Sequence, residues 1–353
     1  MKRIVILGGG YGGVRILHKL LDSGLPSDVR INLIDRNPYH SLKTEFYTIA
    51  AGTSADKDVR TTFPIHEQVE YLFGEIENID TEDERIFIRE LDDPVPYDYL
   101  VIGVGCEDNY HGIPGAELYT NSVQTINKAR RTGLAVSNLD AYGTVVIVGA
   151  GLSGIEVASE IRESRSDLNI RLLDRGASVL NGFDPKIQAY VEEWFQKNDV
   201  EVIHHANVEY VEEKAVCNNG SCFPSDVTIW TAGVKPNHLI TDLPYEKDQQ
   251  GKIILNEYCQ VPTSTNVYAV GDCASSEYSP SAQLAGKQGE QIGDVLRAII
   301  HDQEPQVPKE FKLKGTLGSL GKSDGFGNML KQPITGLLPR LAKSGVLWLN
   351  KRH

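Results

Sequence analysis

Two glycine-rich segments carry the spacing G-x-G-x-x-G, which places backbone amides around a pyrophosphate when a strand leads into a helix. In such a unit the first glycine permits a tight turn, the second lets the backbone approach the ligand, and the third allows close packing of helix on strand. Two copies predict two dinucleotide sites. The residues predicted to contact the cofactors at these turns are Gly8, Gly10, Tyr11, Gly12, Gly13, Gly149, Gly151, Leu152, Ser153 and Gly154.

An aspartate follows each turn at the distance expected of an acid that binds ribose hydroxyls. Asp35 follows the first turn and Asp174 the second, each about 20 residues beyond the third glycine. A carboxylate at this point accepts hydrogen bonds from both hydroxyls and repels a 2′-phosphate. Asp174 therefore favours NADH over NADPH, although the neighbouring Arg175 would soften that preference unless it faces solvent.

The elements around the turns alternate between strand and helix, which predicts parallel sheets covered on both faces. The alternating run 71–91 predicts antiparallel strands or hairpins, and Asn219-Gly220 predicts a hairpin turn within 216–222. The strands expected in parallel sheets are 3–7, 30–34, 97–104, 145–148, 169–173, 200–203, 227–230 and 267–272. Two helices are expected to end near residues 23 and 163, and two further helices are expected to span 185–197 and 281–300.

Composition limits the classes of protein that this chain can represent. It has 353 residues, which suit two domains, and 41% of them are hydrophobic. Its net charge of −13 argues against a nucleic-acid partner, which needs a basic face. Five sparse cysteines and the absence of a recognisable leader predict a cytoplasmic protein, and no run is long and apolar enough for a spanning helix.

Several further segments resemble those of type II NADH dehydrogenases, which are single-chain NADH:quinone oxidoreductases. They are RNPYHSLKTEFYTIAAGT at 36–53, YDYLVIGVGCEDNYHGIPG at 97–115, TIWTAGVKPN at 228–237 and NVYAVGDCA at 266–274. The resemblance extends over roughly residues 1–300 and implies FAD at the first turn, NADH at the second and a menaquinone-like acceptor. It implies a peripheral enzyme on the inner face of the cell membrane.

The implied fold class is α/β, with two Rossmann-like domains arranged as in glutathione reductase and the NADH domain inserted into the FAD domain. The FAD domain is expected at 1–112 and 236–305, and the NADH domain at 113–235. Residues 306–353 are expected to form a separate C-terminal region.

The same resemblance assigns further cofactor contacts. Asp272 is expected to hold the ribityl and phosphate part of FAD, and Ala285 to bring helix backbone near the isoalloxazine ring. The remaining expected contacts are Arg36, Ile76, Gly105, Gly233 and Gly271.

Three residues are candidates for the chemistry itself. Glu156 stands at a position where the family has a glutamate, near the meeting point of nicotinamide and flavin. In that position it would orient nicotinamide or relay a proton. The alternative is an ordinary glutamate in the first turn of a helix, favoured by the helix dipole. Gln283 matches the family's quinone motif A-Q-x-A-x-Q, but Lys287 replaces its last glutamine. Lys287 would either stabilise anionic flavin or quinol, or disable quinone binding.

The cysteines and histidines separate this chain from related classes. Disulfide reductases need C-x-x-x-x-C early in the first domain, and no cysteine precedes Cys106. Cys217 and Cys222 have this spacing but are interpreted as a surface turn pair, with a redox pair as the alternative. Cys106 and Cys273 lie near cofactor segments, as sulfide:quinone reductases require, although their placement differs. The histidines show no ligand spacing, so no metal site is predicted.

Two alternatives to quinone reduction remain open. One is a soluble NAD(P)H:acceptor flavoprotein of diaphorase or sulfide:quinone type, and the other is a redox sensor that binds FAD and NADH. The C-terminal segment 334–353 mixes leucines with basic residues and predicts a basic amphipathic helix interrupted by Pro339 and Gly345. It would lie on an anionic membrane surface, or pack on the FAD domain or on a second copy of the chain.

Overall fold

The computed structural model describes residues 1–329 and 332–350. Helices in these ranges are α1 Tyr11–Asp22, α2 Phe46–Ala50, α3 Ala116–Tyr119, α4 Ile126–Ser137, α5 Leu152–Ser164, α6 Pro185–Lys197, α7 Ala282–Ile300 and α8 Leu337–Asn350. Short 3₁₀ turns occur at Lys43–Glu45, Asp56–Val59, His238–Ile240 and Gly271–Cys273.

The strands are mostly short and alternate with these helices. In chain order they are β1 Lys2–Leu7, β2 Val29–Asp35, β3 His40–Ser41, β4 Arg60–Thr61, β5 Val69–Phe73, β6 Ile76–Asp80, β7 Arg85–Ile88, β8 Val95–Pro96, β9 Tyr99–Ile102, β10 Cys106–Asp108, β11 Asn121–Ser122, β12 Thr144–Val148, β13 Asn169–Leu173, β14 Val200–Ile203, β15 Val208–Glu212, β16 Ala215–Asn218, β17 Ser221–Pro224, β18 Val227–Trp230, β19 Val234–Pro236, β20 Val267–Ala269, β21 Gly315–Leu320, β22 Asp324–Met329 and β23 Gln332–Gly336.

The first unit comprises Met1–Ser41, Thr61–Glu107 and Lys235–Leu313. Its central sheet has the order β20-β9-β1-β2-β5, and every neighbouring pair is parallel. The strands are aliphatic because both faces of the sheet are covered, and α1 packs along α7. The sequence prediction of antiparallel strands over 71–91 is wrong at its start, since β5 continues the parallel sheet beside β2, but β6 and β7 do form an antiparallel pair.

The second unit comprises Leu42–Arg60, Asp108–Val234 and a last segment that begins at Lys314. Its parallel sheet has the order β11-β18-β12-β13-β14. Two parallel sheets of this kind confirm the predicted α/β fold class. The sheet β15-β16-β17 is antiparallel and contains the predicted hairpin, in which a disulfide joins Cys217 and Cys222.

The last segment of the second unit forms an antiparallel sheet of β21, β22 and β23 covered by α8. The prediction that Pro339 and Gly345 interrupt the last helix is wrong, because α8 is continuous through both. Pro339 lies in the first turn, where its missing N–H group would have no helical partner in any case. Lys351 and Arg352, which contributed to the predicted basic face, lie outside the described residues. Over the ranges described, every helix is too short or too polar to cross a bilayer.

Candidate active site

The first glycine turn connects β1 to α1 and leaves open space at one position. A Cβ atom at Gly8 would collide with the carbonyl of Gly103, and one at Gly13 with the carbonyl of Gly8, so packing alone excludes side chains there. A Cβ at Gly10 would meet no atom within 4 Å. Gly10 also begins α1 without a capping side chain, which leaves the first amides of the helix available to an anion.

Asp35 lies at the end of β2, beside this turn. Its Oδ2 atom accepts a hydrogen bond from the Gly9 amide at 2.7 Å, and its Oδ1 atom accepts one from the Asn37 amide at 2.8 Å. A carboxylate has about four lone-pair positions, so others remain for ribose hydroxyls. The exposed Arg36 instead extends toward Glu75, with Nη1 3.9 Å from Oε1.

A buried histidine is hydrogen-bonded to the same turn. His40 is buried, and its Nδ1 atom lies 2.8 Å from the carbonyl oxygen of Gly9, to which it donates. Its ring meets Tyr11 edge-on, with centroids 4.9 Å apart. Burial lowers the pKa of His40, so the neutral ring holds the turn without adding charge.

The loop at Gly271–Cys273 returns the chain to the first turn. A Cβ at Gly12 would collide with Val270 and lie 3.3 Å from the carbonyl oxygen of Ala285, so the loop and α7 pack closely on α1. The amide of Gly271, a residue with φ +79°, donates to Oε1 of the buried Gln288 at 2.9 Å. Gln288 was not identified from the sequence, because it stands one position beyond the family motif.

The thiols of the first unit differ in their surroundings. Cys106 Sγ lies 2.9 Å from Oδ2 of Asp272, the carboxylate expected to bind FAD. Cys273 is buried, its Sγ lies 3.4 Å from the carbonyl oxygen of Ile102, and burial raises its pKa to about 11. A thiol with that pKa is almost entirely protonated near neutral pH and is a poor nucleophile.

The quinone-motif residues lie on the first turns of α7. Gln283 is half-buried. The Nζ atom of Lys287 lies 2.6 Å from Oε2 of Glu290, whose other oxygen binds Arg15. Partial burial favours the neutral acid, but these two cations outweigh it and lower the pKa of Glu290. The Lys287 charge is therefore already paired.

The remaining expected contacts of the first unit lie at loop and strand positions. Ile76 is half-buried at the start of β6. Gly105 has φ +71°, and its carbonyl accepts a hydrogen bond from the Asn237 amide at 3.1 Å.

The second glycine turn, between β12 and α5, repeats the geometry of the first. A Cβ at Gly154 would collide with the carbonyl of Gly149, and one at Gly149 would lie 2.7 Å from Ala232, whereas one at Gly151 would meet nothing within 4 Å. Leu152 and Ser153 open the helix, whose first amides again lack a capping side chain. The structure thus provides two glycine turns of the same shape, one in each unit, and each has open space over the second glycine of its motif.

Asp174 also repeats the contacts of Asp35. Its Oδ2 atom accepts from the Ala150 amide at 2.6 Å, and its Oδ1 atom from the Gly176 amide at 2.7 Å. Arg175 is exposed. Gly233, with φ +133°, continues the Thr231–Ala232 segment that packs on Gly149.

A buried polar cluster surrounds Glu156 in the second unit. The ammonium of Lys343, on α8, pairs with Oε1 of Glu156, which also accepts the Ser319 amide at 3.0 Å. The same ammonium lies 3.7 Å from Oε1 of Glu45 and 4.4 Å from the ring centroid of Tyr47. All five residues are at least nine-tenths buried.

Burial and charge act in opposite directions within this cluster. Burial raises the pKa of Glu156, although Lys343 opposes the shift. Burial alone would lower the pKa of Lys343, but the carboxylates of Glu156 and Glu45 outweigh it and raise that pKa. Two carboxyl groups thus share one ammonium, so the cluster is able to hold one further proton. Sequence analysis identified Glu156 but missed Lys343, which follows it by 187 residues.

Comparisons with known proteins agree with this geometry. A family profile described as pyridine nucleotide-disulphide oxidoreductase matches residues 2–289. A Bacillus subtilis protein named NADH dehydrogenase-like protein YutJ is 48% identical over 100% of this chain and 99% of its own length. A Staphylococcus epidermidis type II NADH:quinone oxidoreductase is 23% identical over 95% of this chain and 91% of its own. The fold matches Plasmodium falciparum NDH2, solved with NADH, with a TM-score of 0.85, 18% identity, and coverage of 99% of this chain and 94% of that one.

Proposed function

Because the chain belongs to the pyridine nucleotide-disulphide oxidoreductase family, we propose that it is an FAD-dependent NADH dehydrogenase that delivers electrons to a quinone. The observation that carries this proposal is the glycine turn that occurs once in each unit. Each unit pairs a glycine turn that has open space over Gly10 or Gly151 with an aspartate hydrogen-bonded to the turn.

FAD is assigned to the first unit. The turn amides would bind its pyrophosphate, Asp35 its adenosine ribose, and Asp272 its ribityl chain. His40 and Gln288 would hold the two loops in position through their hydrogen bonds to Gly9 and Gly271. When bound, FAD accepts a hydride from a nicotinamide and passes electrons to a second acceptor.

NADH is assigned to the second unit. Asp174 is fixed by two backbone amides, so its negative charge stays directed at the ribose position. A 2′-phosphate at that position would be repelled, and the neighbouring Arg175 is exposed to solvent. This supports NADH rather than NADPH as the reductant.

The acceptor is a menaquinone-like quinone, with the amide of Gln283 as its polar contact. A different acceptor is favoured by one observation, since Lys287 replaces a glutamine of the quinone motif and is paired with Glu290. A diaphorase-like acceptor is therefore the second candidate. The raised pKa of Cys273 does not support sulfide chemistry.

Quinone reduction consumes protons, and Glu156 is the residue proposed to handle them. Burial favours a proton on its carboxyl group, and the Lys343 ammonium balances the charge when that proton leaves. In Glu156→Gln, we expect quinone-dependent kcat to fall about a hundredfold. NADH-driven flavin reduction, followed by stopped flow, is expected to stay within about threefold of the native rate. Equal losses in both steps would contradict this role.

The central experiment is purification of the chain, followed by a flavin spectrum and oxidation of NADH and NADPH with and without menadione. We expect a yellow protein that prefers NADH and turns over with menadione. A colourless protein that does not take up FAD would contradict the whole proposal. Flavin reduction by NADH without menadione turnover would favour the second candidate or a redox sensor.

We propose peripheral attachment to the inner face of the cell membrane, and the outer surface of α8 supports the attachment. While Lys343 is directed inward, several large apolar residues of this helix are exposed, and a surface of this kind suits a lipid interface. They are Leu337, Leu338, Leu341, Val346 and Trp348.

A further inference from the structure

The disulfide between Cys217 and Cys222 closes the hairpin β16–β17 next to its turn. The two cysteines lie directly opposite each other in the strand register. Asn219 and Gly220 form the turn, with φ of 51° and 75°, as a two-residue type I′ turn requires. The disulfide therefore holds together the strand ends that fix the position of Asn219.

Asn219 connects this turn to the segment that follows β14. Its side-chain Nδ2 donates to the carbonyl oxygen of His205 at 3.1 Å. Its backbone amide donates to the carbonyl oxygen of Asn207 at 3.3 Å. The closed hairpin thus holds residues 205–207 in place through two hydrogen bonds.

Residues 205–207 are in turn bonded to the loop that carries Asp174. The amide of His205 donates to the carbonyl oxygen of Gly176 at 2.9 Å, and the amide of Ala206 donates to that of Asp174 at 2.8 Å. Gly176 then donates its own amide to the Asp174 carboxylate. Three successive contacts therefore link the disulfide to the proposed ribose-binding carboxylate, and all of them lie within the second unit.

The two sulfur atoms differ in accessibility. Cys222 is exposed on the outer strand, whereas Cys217 is buried, with 1% of its surface exposed. An exposed disulfide sulfur is open to attack by an external thiolate. The buried partner is then the leaving group.

We propose that Cys217–Cys222 is a thiol-exchange site for dithiols and that its reduction weakens NADH binding at Asp174. The role rests on the proposed NADH function. A dithiol thiolate attacks Sγ of Cys222, forming a mixed disulfide and releasing Cys217 as a thiolate. The second thiol of the reagent closes its own disulfide and releases Cys222. Two electrons and two protons pass from the dithiol to the cysteine pair.

The experiment uses dithiothreitol as the dithiol and NAD⁺ as a ligand that does not reduce the flavin. Isothermal titration calorimetry measures the NAD⁺ dissociation constant of the flavoprotein before and after reduction, with excess reagent removed under nitrogen. We expect two additional free thiols and a dissociation constant raised about fivefold, as for the loss of one backbone-supporting hydrogen bond.

Two variants locate the effect. Asn219→Gly keeps the left-handed turn but removes the side-chain amide that donates to His205. This variant should therefore bind NAD⁺ weakly with the disulfide either closed or reduced. The double variant Cys217→Ser/Cys222→Ser should resemble the reduced protein and not respond to dithiothreitol. As a matched control, Cys259→Ser removes a buried thiol of the first unit and should respond like the native chain.

Two results would overturn the exchange site while leaving the NADH proposal intact. One is release of both thiols with an unchanged dissociation constant, and the other is a pair that dithiothreitol does not open. If NAD⁺ binds in neither state, the NADH site itself is refuted, and the proposed role of the disulfide with it.

Discussion

The ion pair between Glu156 and Lys343 combines a carboxylate from α5 with an ammonium from α8, both away from water. In Lys343→Met the buried carboxylate keeps the Ser319 amide but loses its cation. We expect the free energy of unfolding to fall by about 3–5 kcal/mol, because an uncompensated buried charge is costly. Urea denaturation measures this loss.

The double variant Glu156→Gln/Lys343→Met is the control, since it removes both charges from the cluster. Its loss of stability should be clearly smaller than the sum of the two single losses. Additive losses would show that the two groups do not depend on each other.

Lys287 is predicted to limit quinone reduction while contributing little to stability. In Lys287→Gln the family glutamine is restored, and Glu290 keeps Arg15 as its partner. We expect menadione-dependent kcat/KM to rise by about threefold or more, with unfolding free energy changed by less than about 0.5 kcal/mol. NADH–ferricyanide activity, which needs no quinone pocket, should stay constant. A fall in menadione turnover would instead assign the ammonium to the acceptor.

Residues whose roles depend on local spacing were accessible from the sequence, and those assembled from distant segments were not. Asp35 and Asp174 were identified because one helix and one strand of ordinary length separate each from its turn, and the structure does bring both to a turn amide. Lys343 and Tyr47 carried no such signal. Their partners lie on other elements, and only tertiary packing brings them together.

At the level of the strand–turn–helix element, substitutions at Gly151 and Gly154 distinguish a glycine that contacts the ligand from a glycine needed for packing. Gly151 has open space and φ −76°, so Gly151→Ala should fold normally yet raise the NAD⁺ dissociation constant by about tenfold or more, because its methyl group enters the space left for the pyrophosphate. Calorimetry with NAD⁺ and a thermal melt measure the two effects.

Gly154→Ala is the matched comparison. Its Cβ would collide with the carbonyl of Gly149, so we expect a loss of about 1–3 kcal/mol in unfolding free energy. If both variants bind NAD⁺ as the native chain does, the second turn is not a dinucleotide site.

Elements were predictable where the hydrophobic pattern alone decides between strand and helix. The parallel strands and α5, α6 and α7 follow such patterns and are confirmed. The part of β5 within 71–91 was wrongly expected to be antiparallel, because alternation specifies a half-buried strand but not the direction of its neighbour. The continuity of α8 was missed because a proline in the first turn costs a helix nothing.

At the level of the whole molecule, the exposed surface of α8 is predicted to bind anionic membranes. We expect the chain to sediment with phosphatidylglycerol vesicles, and Leu338→Glu/Leu341→Glu to reduce binding by about tenfold or more, since each leucine would contribute about 1.5–3 kcal/mol of burial. Leu118→Glu, at an exposed leucine on α3, is the control and should bind normally.

Unchanged sedimentation of the double variant would contradict membrane attachment through α8. A loss of dimers in solution, without any change in vesicle binding, would assign the same surface to a second copy of the chain. The domain limits expected at 113, 235 and 306 stay a prediction.

The cluster around Glu156 also has a consequence for synthesis. Its acid is translated 187 residues before the lysine that neutralises it. At ribosomal rates of about 5–20 residues per second, roughly 10–40 s separate the two events. Throughout that interval the nascent α5 carries an acid whose partner does not yet exist, so water must solvate it. This cluster is therefore expected to form only after both glycine turns have emerged from the ribosome.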